Sequence, residues 1–516
     1  MESEPPGVFG STRLRLVVLA ASGTAGALAF PTTDWWLFAW VWLLPALLCA
    51  LSRPPRAALA DGWAAGTVFH VVLLRWLDHT FLHYSDIPWP LTWLPIAALA
   101  AYCGLYTALC AAAVAWLRGR IGRGPALAFF PVYWVAGEWI RGHLMDGFPW
   151  GLLGYSQHAV LPVIQIAELG GVYAVSFLIA AVNAAIAAVI ALGWRRALPG
   201  AVTALLLLSL SLAFGWATLS RAEPRSGEVE VGVIQPSIEQ TLKWDPARQA
   251  RILDSYKDLT RQAAEPRAAL VVWPETATTI FLRRDPVLVA RLTRLSAELD
   301  APILVGSIDR EPGPDGKLLN SAFLLTGQGI SAKYDKIHLV PFGEYVPLSW
   351  LIGFVRSWAE FISDMGAGRA ETVFRLGRAP FGVVICYEII FPELFRKFVA
   401  GGAAFMVNIT NDAWFGTTSG PWQHLAMLSL RAVEHRVGIA RSANTGISAF
   451  VEPTGRVAQM LPLLERGVLR GRVPLRSGVT LYTRLGDWLA YICLGLTAAV
   501  LGFALSRRSP QACSAS

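Results

Sequence analysis

Long apolar stretches constrain this sequence more than any other feature. A helix of about 20 apolar residues crosses a hydrocarbon core of about 30 Å. Eight stretches of this kind occur, and only 16% of the residues are charged. One such run could be a buried helix of a soluble domain, but eight in one chain predict a transmembrane helix bundle. The predicted spans are residues 14–30, 35–51, 57–77, 91–117, 125–140, 163–192, 201–219 and 485–505.

The distribution of arginine predicts the orientation of these spans. Loops on the cytoplasmic side carry an excess of Lys and Arg, and the loops at residues 31–34 and 81–90 contain neither. Both termini are therefore predicted to be cytoplasmic, and the long segment after the seventh span extracytoplasmic. The net charge of +8 does not indicate a nucleic-acid partner, because the arginines lie mostly in short loops between apolar runs and form no basic stripe on a soluble face. The arginines concerned are Arg13, Arg15, Arg53, Arg56, Arg118, Arg120, Arg123, Arg195, Arg196, Arg507 and Arg508.

The pattern changes after residue 220 to short β-branched runs that alternate with helix-like stretches. This alternation is typical of an α/β domain. The predicted organisation is therefore transmembrane helices 1–7 in residues 1–220 and an extracytoplasmic domain in residues 221–482. Residues 483–516 are predicted to form transmembrane helix 8 and a cytoplasmic tail.

The extracytoplasmic domain contains one cysteine, Cys386, out of six in the chain. A lone thiol is unusual in a compartment that favours disulfides. It directly follows a predicted strand, and active groups gather at the carboxyl ends of strands in α/β sheets. A buried packing cysteine is the alternative, but the position favours a nucleophile. The chain has no CxxC or HExxH spacing, so the sequence predicts no metal site.

A cysteine nucleophile needs a base or a nearby cation to form the thiolate at neutral pH. Three motifs of the same domain supply such groups: Trp-Pro-Glu ending at Glu275, Lys-Ile-His-Leu-Val-Pro-Phe-Gly-Glu from Lys336 to Glu344, and Cys-Tyr-Glu beginning at Cys386. Each charged residue alone would more often be a solvated surface group. Together the three motifs predict one catalytic centre.

In this order and spacing, the motifs resemble the Glu-Lys-Cys triad of the nitrilase superfamily. Within that superfamily the whole chain is most similar to the apolipoprotein N-acyltransferase family. The resemblance implies eight spans around a nitrilase-like α-β-β-α sandwich domain. It also implies a bacterial inner-membrane protein whose catalytic domain lies in the periplasm.

The resemblance further implies a role for each matching residue. Glu275 would be the general base, Lys336 the cation that stabilises the oxyanion, and Cys386 the nucleophile. Glu344 would orient Lys336 or the substrate amine. Positions that line or support the substrate pocket would be Trp244, Tyr387 and Glu388.

The implied reaction transfers a fatty acyl chain through a cysteine thioester, with ping-pong kinetics and no cofactor. The donor would be a membrane phospholipid, typically phosphatidylethanolamine. The acceptor would be the N-terminal amine of the diacylglyceryl-cysteine of an apolipoprotein. Both substrates would be held in the lipid bilayer.

Two other functions fit parts of the sequence. A membrane-tethered nitrilase or amidase acting on C–N bonds would use the same triad. The apolar segment 348–365 argues against a small polar substrate, because its helical apolar stripe predicts a mobile lid that enters the outer leaflet; a segment that caps the core is the alternative. A transporter with a binding domain would need ionisable residues at mid-membrane, for which Glu138, Arg141 and Glu168 are candidates.

Overall fold

The chain divides into two compact units in a computed structural model that describes residues 11–221, 227–313, 315–347 and 364–506. The helical unit comprises Met1–Arg75, Trp93–Arg221 and Leu485–Ser516, and the sheet unit comprises Trp76–Thr92 and Ala222–Arg484. The boundaries at residues 220 and 482 stay a prediction. Most of the predicted lid, residues 348–363, lies outside the described residues.

The helices are, in chain order, α1 (Thr12–Leu28), α2 (Leu44–Ser52), α3 (Pro55–Leu73), α4 (Leu77–Tyr84), α5 (Trp93–Ile121), α6 (Arg123–Ala128), α7 (Phe130–His143), α8 (Leu161–Ile164), α9 (Ala167–Gly170), α10 (Val172–Leu192), α11 (Trp194–Ser220), α12 (Gln240–Lys243), α13 (Gln249–Ala264), α14 (Pro286–Leu299), α15 (Pro392–Ala400), α16 (Gly420–His435), α17 (Leu481–Leu485) and α18 (Trp488–Ser506).

Helices of membrane-spanning length lie mainly in the helical unit. Among the described residues, α5, α10, α11 and α18 are long and apolar enough to cross a bilayer, and α3 with α4 would be a fifth span bent by 56°. The predicted span 163–192 is divided because Gly171, at φ +68, separates α9 from α10. The number of eight spans therefore stays a prediction, while the apolar helical character of this region is confirmed.

Two of the ionisable residues named as transport candidates bind backbone groups of the helical unit. Glu138 accepts a hydrogen bond from the N–H of Leu153 at 2.6 Å. Arg141 donates to the carbonyls of Phe148 and Trp150 at 3.2 and 2.7 Å. Irregular backbone inside an apolar bundle needs such partners. These contacts give both charged side chains a structural role and do not require transport.

Within the described residues, the strands of the sheet unit form two sheets. The first has the order β13-β1-β2-β4-β5-β6, with β3 paired to β4, and the second has the order β12-β11-β10-β9-β8-β7. The strands are β1 (Glu228–Gln235), β2 (Leu270–Val272), β3 (Thr278–Phe281), β4 (Ile303–Arg310), β5 (Leu318–Thr326), β6 (Gly329–Asp335), β7 (Val373–Phe374), β8 (Phe381–Ile385), β9 (Phe405–Thr410), β10 (Ile439–Ala443), β11 (Ser448–Val451), β12 (Val457–Leu461) and β13 (Gly467–Pro474).

The two sheets pack face to face, with helices on the outer faces. α13 and α14 cover the first sheet, and α15 and α16 cover the second. Ser442 of β10 joins the sheets, because its hydroxyl donates to the carbonyls of Ile234 and Val272 at 2.8 and 3.2 Å. The predicted α-β-β-α sandwich is confirmed.

Residues 76–92 are attached to the sheet unit although the sequence places them between apolar helices. Thr80 of α4 donates to the carbonyl of Trp414 at 2.8 Å, and Tyr84 donates to the carbonyl of Ala413 at 3.1 Å. Both acceptors lie in the 3-10 turn Asp412–Phe415, which follows β9. This segment therefore contacts a turn at the carboxyl end of a central strand.

Helix α14 illustrates how the sequence builds the outer layer. Asp285 caps the helix by accepting from the N–H of Leu288 at 2.9 Å, which satisfies a backbone donor that the helix cannot. Leu288, Leu292 and Leu295 lie on one face and are buried in the core, whereas Val287 is exposed. The spacing of the leucines follows the helical period.

We expect the Leu292→Ala substitution to destabilise the sheet unit by about 2–5 kcal/mol, because a fully buried leucine is replaced by a cavity. Thermal unfolding of the purified protein would measure the loss. Val287→Ala on the same helix is the matched control and should change stability by less than about 0.5 kcal/mol. Equal effects of the two substitutions would contradict the packing described here.

Candidate active site

Three residues singled out in the sequence lie just beyond strand ends in the sheet unit. Glu275 follows β2, Lys336 follows β6, and Cys386 follows β8. All three side chains are buried. The structure brings them together from two different sheets, which no local sequence pattern specifies.

The ammonium of Lys336 is held between two carboxylates. Its Nζ lies 2.9 Å from Glu344 Oε1 and 3.5 Å from Glu275 Oε1. Burial alone would lower the pKa of Lys336, but Glu344 and Glu275 outweigh it and raise this pKa above its ordinary value. Lys336 is therefore charged at neutral pH.

Both carboxylates are fixed by further donors. Asn320 Nδ2 donates to Glu275 Oε1 at 2.7 Å and to Glu344 Oε1 at 3.1 Å. The N–H of Asn411 donates to Glu275 Oε2 at 2.8 Å, and that of Val340 donates to Glu344 Oε2 at 2.8 Å. Because Glu344 bonds to Lys336, Asn320 and Val340, its position suits it to orient the lysine.

Cys386 occupies a constrained backbone position at the start of the 3-10 turn Cys386–Ile390. Its φ is +51, in the left-handed region that non-glycine residues rarely adopt. Burial raises the pKa of its thiol above the ordinary value; Glu275 raises this pKa further, and Lys336 lowers it. The resting group is therefore a thiol, so a nearby base has to remove its proton before it can attack.

Glu388 connects the segments that carry Lys336 and Cys386. Its Oε1 accepts from the hydroxyl of Tyr334 at 2.7 Å and from the N–H groups of Ile337 and His338 at 2.6 and 3.2 Å. Its Oε2 accepts from the N–H of Ile385 at 2.7 Å. Burial raises the pKa of Glu388 to about 7, against the opposing effect of these donors. The carboxylate joins the segment after β6 to the end of β8, which is a supporting role.

The other two predicted pocket residues differ in accessibility. Trp244 is 45% exposed and directly follows α12, so it can meet a ligand. Tyr387 is buried, with its ring 5.3 Å from that of Phe391. A contact of either ring with substrate stays a prediction.

The sequence analysis did not single out Asn320, Asn411 or Lys243. Lys243 is buried and donates to the carbonyl of Glu275 at 3.1 Å and to the hydroxyl of Thr276 at 2.8 Å. Burial lowers the pKa of Lys243 to about 8, although the Glu275 charge acts in the opposite direction. A polar residue in or next to a buried strand was the available signal for Asn320 and Asn411, and many surface positions carry the same signal.

Known proteins resemble both parts of this chain. Residues 22–185 match the family model described as the apolipoprotein N-acyltransferase N-terminal domain, and residues 230–480 match the carbon-nitrogen hydrolase model. The chain is 38% identical over 496 residues to an apolipoprotein N-acyltransferase of Geobacter metallireducens, covering 95% of each chain. A protein of the same name from Azotobacter vinelandii is 37% identical over 510 residues, covering 96% of this chain and 95% of that one.

The chain belongs to the apolipoprotein N-acyltransferase family.

Two more distant similarities complete the comparison. An apolipoprotein N-acyltransferase of Haemophilus ducreyi is 30% identical over 94% of this chain and 95% of its own. Among solved structures, an amidase from Nesterenkonia sp. is 21% identical, with a TM-score of 0.37, covering 48% of this chain and 92% of its own. The full-length relatives and the apolar helices make this member of the family a membrane protein.

We expect the Gly306→Ala substitution to slow acyl transfer by about 10²-fold, because the added Cβ would displace Glu275 and a misplacement of about 1 Å in a catalytic group lowers the rate by that factor. A Cβ on Gly306 would lie 2.3 Å from the carbonyl oxygen of Pro274 and 2.8 Å from the Cα of Glu275. The rate of acyl transfer to a lipopeptide is the measurement. Gly478→Ala is the control, since its Cβ would meet no atom within 4 Å. A Gly306→Ala rate equal to the control would contradict the close packing behind Glu275.

We expect iodoacetamide to alkylate Cys386 slowly at pH 7 and faster as the pH rises through the alkaline range, because its raised pKa keeps the thiol protonated. Glu275→Gln removes a charge that raises this pKa, so the pH above which alkylation becomes fast should be lower in this variant, while the thiol stays protonated at pH 7. Mass spectrometry of the Cys386 peptide reports the rate, with Glu298→Gln at an exposed position as the control. A wild-type thiol that reacts fully as thiolate at pH 7 would contradict the prediction.

Proposed function

We propose that the centre formed by Glu275, Lys336 and Cys386 transfers a fatty acyl chain from a phospholipid to the N-terminal amine of a diacylglyceryl-cysteine on a lipoprotein. The observation that carries the proposal is the buried Cys386 thiol, whose pKa is shifted by the charges of both Glu275 and Lys336. The charged atoms of Glu275 and Lys336 lie 3.5 Å apart. This arrangement supplies a nucleophile, a base and a cation in one site.

In the first half-reaction, the Glu275 carboxylate takes the proton from the Cys386 thiol as the sulfur attacks the ester carbonyl of the donor. Negative charge develops on the carbonyl oxygen, and the Lys336 ammonium stabilises it at low local dielectric. The C–O bond of the ester then breaks, and Glu275 returns the proton to the departing glycerol oxygen. The products are a Cys386 thioester and a lysophospholipid.

In the second half-reaction, the lipoprotein amine attacks the thioester carbonyl. The carboxylate of Glu275 accepts a proton from the amine, the C–S bond breaks, and the proton returns to the sulfur of Cys386. The product is an amide, and the resting thiol is regenerated. Glu344 keeps Lys336 in place through both steps, because their 2.9 Å contact does not involve the reacting atoms.

The substrates determine where the centre has to work. Both are amphiphiles with their chains in a bilayer, so an enzyme carrying apolar helices meets them at the membrane surface. We place the sheet unit in the periplasm and both termini in the cytoplasm of a bacterial inner membrane, on the basis of the arginine distribution. Phosphatidylethanolamine is the donor we propose, with exposed Trp244 among the residues that contact the substrates.

Mass spectrometry of the protein purified from membranes tests the function directly. We expect a fatty acyl adduct on Cys386, labile to hydroxylamine, that disappears when a diacylglyceryl lipopeptide is added and reappears as the N-acylated peptide. Cys386→Ala should carry no adduct and transfer no acyl chain, while remaining folded in the membrane.

Glu275→Gln should also lack the adduct, because the thiol then has no base for the first step. A normal thioester on this variant would assign the base to another carboxylate. Wild-type turnover by Cys386→Ala would exclude the proposed function altogether.

A further inference from the structure

A second group of buried ionisable side chains lies beside Cys386 and is not used by the chemistry above. Asp412 follows β9, His424 lies on α16, and Arg441 lies on β10. Each is at most 1% exposed. Burying charged groups costs several kcal/mol unless they are paired with good geometry. The contacts of this group therefore identify what it holds in place.

Arg441 is the fixed centre of the group. Its Nη2 lies 2.5 Å from Asp412 Oδ2, and its Nη1 lies 2.5 Å from Asn408 Oδ1. Its Nε donates to the carbonyl of Ile447 at 3.0 Å. Partners on three sides of a planar guanidinium leave it one position, and Asp412 is fixed with it.

His424 connects this fixed pair to the nucleophile. Its Nε2 lies 3.1 Å from the carbonyl oxygen of Cys386, and its Nδ1 lies 3.1 Å from Arg441 Nη2 and 3.2 Å from Asp412 Oδ1. A carbonyl oxygen only accepts, so Nε2 carries a proton and donates. Burial and the Arg441 charge lower the pKa of His424, which keeps the ring neutral at physiological pH.

The nucleophile needs such a partner because of its backbone conformation. A non-glycine residue at φ +51 is strained and stays there only when surrounding contacts enforce it. A second contact reaches the sulfur, since Thr410 donates to Asp412 Oδ1 at 2.8 Å and also hydrogen-bonds the Cys386 side chain. The group therefore contacts Cys386 at its carbonyl and at its thiol.

We propose that His424 is a positioning residue for Cys386. Its hydrogen bond to the Cys386 carbonyl holds the left-handed backbone from which the thiol reaches an acyl carbonyl, and Nδ1 of the same ring accepts from Arg441, which Asp412 fixes in place. Loss of this bond lets the Cys386 backbone relax and moves the sulfur away from its line of attack. The assignment rests on the proposed function only in naming the acyl donor.

A matched pair of amide substitutions tests the bond itself. Glutamine places its amide nitrogen near the position of Nε2 and can still donate to the Cys386 carbonyl, whereas asparagine ends near the position of Nδ1 and cannot reach it. Both side chains are neutral and polar. We expect His424→Asn to lower the single-turnover rate of Cys386 acylation at saturating donor by about tenfold to hundredfold. We expect His424→Gln to stay within about threefold of wild type, with the donor concentration for half-saturation unchanged in both.

His435→Gln is the control for substitution of a buried histidine. His435 lies on the same helix, is equally buried, and bonds to Thr483 at 2.7 Å, so the variant should acylate within about twofold of wild type. Equal rates for His424→Asn and His424→Gln, whether both are high or both are low, would overturn the proposal. A His424→Asn variant with weaker donor affinity but an unchanged acylation rate at saturating donor would also overturn the proposal.

Two donors separate this proposal from the proposed function. A phospholipid reports the proposed reaction, and a short p-nitrophenyl ester reports any attack of Cys386 on an acyl carbonyl through its release of nitrophenol. Acylation of wild type by the ester alone would overturn the lipid-donor function and leave the comparison of Asn with Gln intact. A slower His424→Asn with both donors, and a wild-type-like His424→Gln with both, is the result we expect.

Discussion

The candidate site depends on one buried ammonium held between two carboxylates. Lys336 is 1% exposed and has Glu344 at 2.9 Å and Glu275 at 3.5 Å. An ammonium in that position would be unstable without both partners, since removing one member of a buried pair costs about 3–5 kcal/mol. The same pairing keeps Lys336 charged and keeps Glu275 beside Cys386. Stability and catalytic geometry therefore come from one set of contacts.

Each catalytic group is supported by atoms from a distant part of the sheet unit. Asn320 of β5 bridges the two carboxylates, and the N–H of Asn411, beyond β9, fixes the second oxygen of Glu275. Glu388 joins the segment that begins the Lys336 motif to the end of β8. The bonds from Asn411 to Glu275 and from Ile337 to Glu388 link the two sheets, so the sandwich has to be assembled before the site exists.

The turn Asp412–Phe415 is a point where several of these supports meet. Asp412 fixes Arg441, which bonds to His424 beside Cys386, and Asn411 next to Asp412 reaches Glu275. The backbone carbonyls of Ala413 and Trp414 accept from Tyr84 and Thr80 of α4. A segment that lies between apolar helices in the chain thus contacts the turn that supports both the base and the nucleophile.

The sequence by itself determined the elements and the chemistry, because these depend on local patterns and residue types. Apolar length predicted the helical region, alternating strand and helix patterns predicted the α/β domain, and a lone thiol with one lysine and one glutamate in specific motifs predicted the centre. Apart from Glu344 and Glu388, which belong to the recognised motifs, only the tertiary structure decided which groups support that centre. Asn320 and Glu275 are separated by 45 residues, His424 and Cys386 by 38, and Tyr84 and Ala413 by 329. Contacts over such separations arise when strands, helices and turns that are far apart in the chain pack together, and the periodicity of a single segment carries no information about the partner it will meet.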